Sequence, residues 1–297
     1  MSRLAQILLA ALARLPLRWL QALGALLGRI VYHTSPQYAA RIKENLKKSG
    51  ICRNYQVYQE YVKKSVSETG KGTLELAIAW TRDSADICAQ IKSCDGWEHV
   101  EQALAEGHGI IFVTPHLGAY DIAGRYISSR LPFPLTAMYR PPKLAWLEPV
   151  MQAGRMRDGA KTAPATPAGV RLVMKALKNG EATIILPDQV PGSGDGVWAP
   201  FFGRPAYTMT LVPRLARMAK VTTLMFYGER LPKGQGFTVH ISPLAEAFDG
   251  DKTEDAARMN RAVESLIRRC PTQYLWSYNR YKTPAGASGP HTENPTP

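Results

Sequence analysis

The run GIIFVTPHLGAYDIAG (109–124) closes an apolar stretch with a proline, then sets His116 five residues ahead of Asp121. An imidazole and a carboxylate add nothing to packing at the end of a core strand, but they can do chemistry. An aspartate that accepts the Nδ1 proton of a histidine fixes the tautomer and leaves Nε2 as a base. On one continuous helix the two residues would stand about 140° apart. With His116 in a turn and Asp121 in the first turn of the next helix, the carboxylate can fold back to the ring. It would also sit at the positive end of the helix dipole. Gly118 leaves room for a substrate close to the backbone.

Two further apolar runs end on polar side chains. LTAMY (135–139) leads into Arg140, and IIL (184–186) leads through Pro187 to Asp188 and Gln189. Ligands of open α/β sheets sit beyond the carboxyl ends of the strands. His116, Arg140 and Asp188 therefore suggest one shared crevice. The sequence has no G-x-S-x-G, P-loop, H-E-x-x-H or G-x-G-x-x-G motif. With no protein nucleophile in view, the base is expected to activate a hydroxyl of the substrate itself. A metal on the pair would need a third ligand, and none stands nearby in sequence.

Alternating elements must position these groups. Helical spacing predicts helices over 36–50, 55–80 (around Gly70 and Gly72), 96–109, about 117–129, 166–180 and 253–270, with a broken helix near 142–157. Thr166, Pro167 and Gly180 form the strongest start and stop signals. A further helix is expected within TMTLVPRLARMAK. Strands are expected at 110–114, 134–139 and 182–186, at VTTLMFY and FTVHIS, and at a terminal QYLW. The pattern implies an α/β fold with a largely parallel central sheet flanked by helices.

The 297 residues carry a net charge of +13. Such a balance suits an anionic partner: nucleic acid, an acidic membrane surface or an acidic substrate. The four cysteines form no C-x-x-C pair and are expected to be reduced thiols. LAQILLAALA (4–13) and WLQALGALLGRIVY (19–32) are almost wholly apolar, yet each is too short to span a bilayer as a straight helix. The first has the length of a signal-peptide core with ALA at 11–13, but the chain beyond it stays apolar and basic. Through residue 64 the acids are Glu44 and Glu60 alone, against eleven Lys and Arg. Apolar helices followed by cations fit an anchor on an anionic membrane. The expected organisation is an anchor over 1–33, a main domain over 34–283 and a disordered tail over 284–297.

HLGAYD resembles the H-x4-D/E signature of lysophospholipid-type acyltransferases. YRPPK (139–143), GRMRDGAK (154–161), LPDQVPGSGDGVWAPFFGRPA (186–206) and PTQYLWSYNRYK (271–282) follow in order. Together they resemble the lipid A biosynthesis lauroyl/myristoyl acyltransferases of Gram-negative bacteria, over nearly the whole chain to Lys282. The resemblance implies transfer of a fatty acyl chain from acyl carrier protein to a hydroxyl of an anionic lipid A precursor. The place would be the cytoplasmic face of the bacterial inner membrane, with no cofactor beyond the acyl thioester, no metal and no nucleic acid partner. It carries over His116, Asp121, Arg155 and Asp188 as site residues. On this reading His116 is the base, Asp121 orients it, and Arg155 stabilises the oxyanion or holds phosphate. Arg140, Arg157, Lys161, Asp188 and Gln189 form the substrate-binding set, Asp188 acting through a salt bridge or through the acceptor. Two other readings are an acyl-CoA-dependent glycerophospholipid or glycolipid acyltransferase and a basic membrane- or nucleic-acid-binding protein without chemistry.

Overall fold

The computed structural model describes residues 2–140 and 145–290. Helices α1 (Ser2–Arg14), α2 (Leu17–Thr34), α3 (Pro36–Lys48), α4 (Tyr55–Thr81) and α5 (Ser84–Gln90) come first. Then β1 (Ile91–Asp95), α6 (Glu98–Ala105), β2 (Gly109–Val113), α7 (Tyr120–Arg130), β3 (Leu135–Tyr139), α8 (Glu148–Arg155), β4 (Lys161–Pro164), α9 (Pro167–Lys178) and β5 (Ala182–Ile185) alternate. The chain closes with β6 (Gly196–Phe201), β7 (Arg204–Met209), α10 (Leu211–Ala216), β8 (Val221–Arg230), β9 (Phe237–Pro243) and α11 (Lys252–Arg269).

Seven strands form one sheet in the order β1-β9-β8-β2-β5-β3-β4. All pairings are parallel except β8 with β9. The expected α/β class therefore holds, with one antiparallel pair toward an edge. Every residue of β2 is buried, as a parallel strand covered on both faces must be. Alternation splits its side chains: Ile111 and Val113 face the core under α9 and α11, while Ile110 and Phe112 face the core under α6 and α7.

The strands that carry polar ends are spatial neighbours. β5 lies between β2 and β3, and all three run parallel, so their carboxyl ends open on the same side. This arrangement turns three separate sequence signals into one place.

Several expectations change in the folded chain. β1 and β4 are short strands at the two sheet edges, with polar or proline-containing sequences that give little periodic signal. The Pro/Gly-rich stretch after Asp188 folds into the antiparallel hairpin β6–β7. Its two-residue turn has Phe202 at φ +48° and Gly203 at φ +70°, the handedness that hairpin twist requires. The Phe202 N–H donates to Glu264 at 2.6 Å, which holds the non-glycine residue there. Phe201 and Phe202 are core residues beside Trp276. QYLW is not a sheet strand; Tyr274 makes only an isolated bridge to Leu117. The helix expected after Thr208 shortens to α10, because β7 claims residues up to Met209. The tail folds against the body as far as it is described, with Trp198 Nε1–H donating to the Ser288 carbonyl at 2.9 Å; residues 291–297 lie outside the described part.

α4 is unbroken for 27 residues, Gly70 and Gly72 included. Gly70 is there for packing rather than for a break. A Cβ on it would come within 2.1 Å of the Gly24 carbonyl oxygen on α2, and one on Gly28 within 2.5 Å of the Val66 carbonyl oxygen. α2 and α4 thus touch backbone to backbone. Leu20 of α2 is fully buried in the cluster that holds Ile78, Ile87 and Phe237, so the N-terminal segment is packed onto the main body. α1 runs through the ALA site, and the Arg82 guanidinium caps its end by donating to the Ala13 and Leu15 carbonyls at 2.7 and 2.9 Å. No helix of the described residues is long and apolar enough to cross a membrane. All four cysteines are free thiols.

A buried ionic cluster ties these helices to the site-bearing segments. Arg230, at the end of β8, donates to both Glu75 oxygens at 2.6 Å and to Glu68 at 2.8 Å. Gln21 of α2 adds a bond to Glu75 at 2.8 Å. Gln273 bonds both the Arg230 backbone N–H and its carbonyl. A buried charge left without its partner is costly, so these elements are held in one arrangement.

The helix contact gives a direct test. Gly70→Ala must push α2 and α4 apart and should lower stability by about 1–3 kcal/mol, read as a lower midpoint in chemical denaturation. Gly50→Ala is the contrast in space alone: nothing lies within 4 Å of its Cβ, so its smaller loss reflects only the positive φ.

Candidate active site

β2 ends at Val113, and Thr114 and Pro115 carry the chain to His116. The turn is fixed by backbone bonds from distant segments. Leu275 N–H donates to the His116 carbonyl at 3.1 Å, Gly118 N–H to the Gln273 carbonyl at 3.0 Å, and Ala119 N–H to the Gly228 carbonyl at 2.8 Å. Gly118 adopts φ +61°, and a Cβ there would lie 1.9 Å from the Gly228 oxygen. Its glycine is required by this backbone approach, not by room for a substrate as the sequence suggested.

The partner of His116 is Asp188. Asp188 Oδ1 accepts from Nδ1 at 2.8 Å, and Oδ2 accepts from the His116 backbone N–H at 3.0 Å. A carboxylate can only accept here, so Nδ1 carries the proton and Nε2 carries the lone pair. The Gln189 amide nitrogen faces that lone pair at 3.1 Å. The Tyr120 ring stands edge-on to the imidazole, with centroids 5.0 Å apart. Asp188 is 3% exposed. Burial alone would raise its pKa; attraction to the His116 ring when that is protonated and the two hydrogen bonds from His116 outweigh that, with Arg280 adding to them, and hold the carboxyl below its usual range. A lowered acid stabilises the fold above its unfolded pKa and loses that contribution as pH falls through the folded value.

Asp121 sits in the first turn of α7, as expected, but its carboxylate pairs elsewhere. Arg155, at the end of α8, donates Nε and Nη2 to Oδ1 at 3.0 and 2.7 Å, and Nη2 to Oδ2 at 3.0 Å. The geometric reason is that Asp188 reaches Nδ1 from the loop just after the adjacent strand β5, while a two-pronged guanidinium is a stronger partner for Asp121 than a ring already bonded. Burial works against the Arg155 charge, but the nearby Asp121 more than offsets it and raises its pKa. Tyr120 beside them has its phenol pushed up, chiefly by burial and then by the Asp121 charge.

Asp121 and Arg155 line a cleft whose other lining residues include the apolar Leu135, Ala137, Met138, Ile184 and Leu186, together with Gly124. The remaining cations predicted for the site are more dispersed. Arg140 is exposed and donates to the Val190 carbonyl at 3.1 Å. Arg157 lines the cleft and donates to the Thr81 carbonyl at 2.9 Å. Lys161 lies exposed on edge strand β4.

The model of the bacterial lipid A biosynthesis acyltransferase family matches residues 2–283 of the chain. The chain belongs to this family. Its curated relatives include the lipid A biosynthesis palmitoleoyltransferase of Escherichia coli (strain K12), 29% identical over 85% of this chain and 77% of that protein. The lipid A biosynthesis lauroyltransferase of the same strain is 28% identical over 91% and 87%. A lipid A biosynthesis acyltransferase of Haemophilus influenzae is 27% identical over 93% and 85%. The protein is therefore an acyltransferase enzyme, as the sequence resemblance implied.

The structure also gives contacts to residues whose roles the sequence did not reveal. Segment 271–282 was visible as a block, and the structure shows it bonded to the turn that carries His116 and to the loop after Asp188. Besides the Gln273 and Leu275 contacts, the Tyr278 hydroxyl accepts the Val190 N–H at 3.0 Å, just beyond Gln189. Asn45 of α3 holds the segment from behind, donating to the Trp276 and Tyr278 carbonyls at 2.7 and 3.0 Å. Arg280 is buried and bonds the Tyr207 carbonyl and Thr208 hydroxyl at 2.7 Å. None of these partners is predictable from local spacing.

The Asp121–Arg155 pair should behave as one unit. Asp121→Asn and Arg155→Gln should each lower kcat/KM, and the double variant should be about as impaired as the worse single one. Steady-state kinetics on the four proteins would show additive losses if the two side chains act separately.

Proposed function

We propose that this enzyme transfers a lauroyl-type acyl chain from an acyl carrier protein thioester to a hydroxyl of a lipid A precursor, working on the cytoplasmic face of the inner membrane. The observation that carries the reading is the His116 tautomer. Asp188 fixes the Nδ1 proton, so Nε2 is the atom that takes the proton of the acceptor hydroxyl. The resulting oxygen nucleophile attacks the thioester carbonyl, and the tetrahedral oxyanion is stabilised by Arg155, which lines the cleft. Asp121 holds Arg155 in place and so acts as a positioning residue. The C–S bond then breaks, and the imidazolium returns its proton to the departing sulfur.

The apolar lining of the cleft suits the acyl chain, and with Asp121 and Arg155 in the same lining the thioester carbonyl would lie beside that pair. Arg140, Arg157 and Lys161 suit the phosphates of the acceptor or the acidic surface of the donor, and the net charge of +13 favours both by long-range attraction. The relatives named for lauroyl and palmitoleoyl transfer share the reaction class with different chains, so the cleft lining is where chain choice belongs.

The N-terminal helices supply the membrane contact. The inner face of α2 is buried on α4, but its outer face shows Trp19, Leu26, Leu27, Ile30 and Val31, with Trp19 59% exposed. Ile7 and Leu8 of α1 are exposed as well. Arg14, Arg18 and Arg29 are exposed on the same two helices and their junction. An apolar stripe bordered by cations on a helix packed against the body fits a helix lying in the interface, not one crossing the bilayer.

Four outcomes test this function. His116→Ala should cost on the order of 10²–10⁴ in rate with the fold intact, and lipid A mass spectrometry of cells lacking the enzyme should show loss of one acyl group. No mass change refutes the substrate assignment. Gly124→Val should shift the product toward shorter chains, since even one Cβ at Gly124 would lie 3.1 Å from Ile184 Cδ1; an unchanged chain profile places the acyl chain elsewhere. The triple variant Trp19→Glu, Leu26→Glu, Ile30→Glu should move the protein from the membrane to the soluble fraction, while unaltered fractionation would remove α2 from the anchor.

A further inference from the structure

Gln189 occupies the one atom that the proposed reaction needs free. Asp188 takes both donors of His116, the ring Nδ1–H and the backbone N–H, so the sole lone pair of the ring is at Nε2. That lone pair is bonded by the Gln189 amide at 3.1 Å. The opposite pairing, with the amide oxygen at Nε2, would set two acceptors against each other in this tautomer. The neighbouring residue is held from two sides: the Val190 N–H donates to Tyr278 and its carbonyl accepts from Arg140, at 3.0 and 3.1 Å. The backbone at Gln189 is thereby anchored, while its side chain is only partly buried.

We propose that Gln189 is a removable cap on the His116 base. Its amide holds Nε2 until the acceptor hydroxyl displaces it, which makes proton abstraction conditional on the acceptor. The inference rests on the acyl-transfer reading above and concerns how that site rejects water. A thioester beside an open imidazole is exposed to hydrolysis: water gives its proton to Nε2, the water oxygen forms the new bond to carbon, the C–S bond breaks, and the imidazolium protonates the thiolate. The products are a free fatty acid and a thiol. In transfer the same proton path runs from the lipid hydroxyl, and the product is an ester. A lipid acceptor held by many other contacts can replace the Gln189 bond, whereas a lone water has only that bond to exchange. Once Nε2 is protonated it can no longer accept from the amide, so the amide N–H bond does not re-form until the proton leaves.

The test measures thioester hydrolysis without acceptor and transfer with a lipid A precursor, using lauroyl-acyl carrier protein and lauroyl-CoA in parallel. Gln189→Met keeps the length of the side chain and lacks the donor; Gln189→Ala removes both. Each variant should raise acceptor-free hydrolysis roughly three- to tenfold, the equivalent of one neutral hydrogen bond, and raise the ratio of hydrolysis to transfer. Adding His116→Ala to Gln189→Met should abolish the gain. Hydrolysis that stays at the wild-type level, or falls in step with transfer in both variants, overturns the cap and leaves the acyltransfer reading standing. Wild-type protein that consumes neither thioester, with or without the precursor, overturns the proposed function and the cap together.

Discussion

The two-point grip of Asp188 on His116 is the constraint around which the rest of the site is arranged. One oxygen takes the ring proton and the other takes the backbone N–H. The first bond sets the tautomer, and the second sets the turn that carries the ring. Neither would be available if β5 were not the parallel neighbour of β2. The carboxylate is buried, so its charge must be matched, and the ring it orients is part of what keeps it ionised. Base and orienting acid are thus stabilised by each other, in a place where water cannot compete for either bond.

That grip needs a rigid surround, and the fold supplies it from far along the chain. The segment after α11 bonds the His116 turn through Leu275 and Gln273, and the loop after Asp188 through Tyr278. Gln273 also belongs to the buried cluster of Arg230, Glu75, Glu68 and Gln21. The backbone contact between α2 and α4 brings that cluster together. The helix that shows an apolar stripe to the outside is therefore joined by a chain of bonded, buried groups to the turn that carries the base.

Much of this was legible in the sequence because it depends on local pattern. Apolar runs that end on His116, Arg140 and Asp188 revealed both the strands and the edge where they open. The start of α7 put Asp121 in the helical turn where it was expected. What failed was the pairing. Asp121 is five residues from His116 and Asp188 is 72 positions away, yet the distant acid is the partner, because strand order is set by crossovers that local spacing does not encode. The acid close in sequence was already committed to Arg155 of α8. A glycine misled in the same way: Gly118 looked like a substrate gap, whereas it marks a place where two backbones touch. The hairpin β6–β7 was hidden inside a motif that composition alone reads as loop.

The central claim is that Asp188, not Asp121, holds the Nδ1 proton of His116. Proton NMR with ¹⁵N-labelled histidine observes that proton directly as a downfield resonance when it is bonded to a carboxylate. The account requires the His116 Nδ1–H signal to be present in the wild-type enzyme, to persist in Asp121→Asn and to be lost or moved sharply upfield in Asp188→Asn. A signal that survives Asp188→Asn and disappears in Asp121→Asn would contradict it.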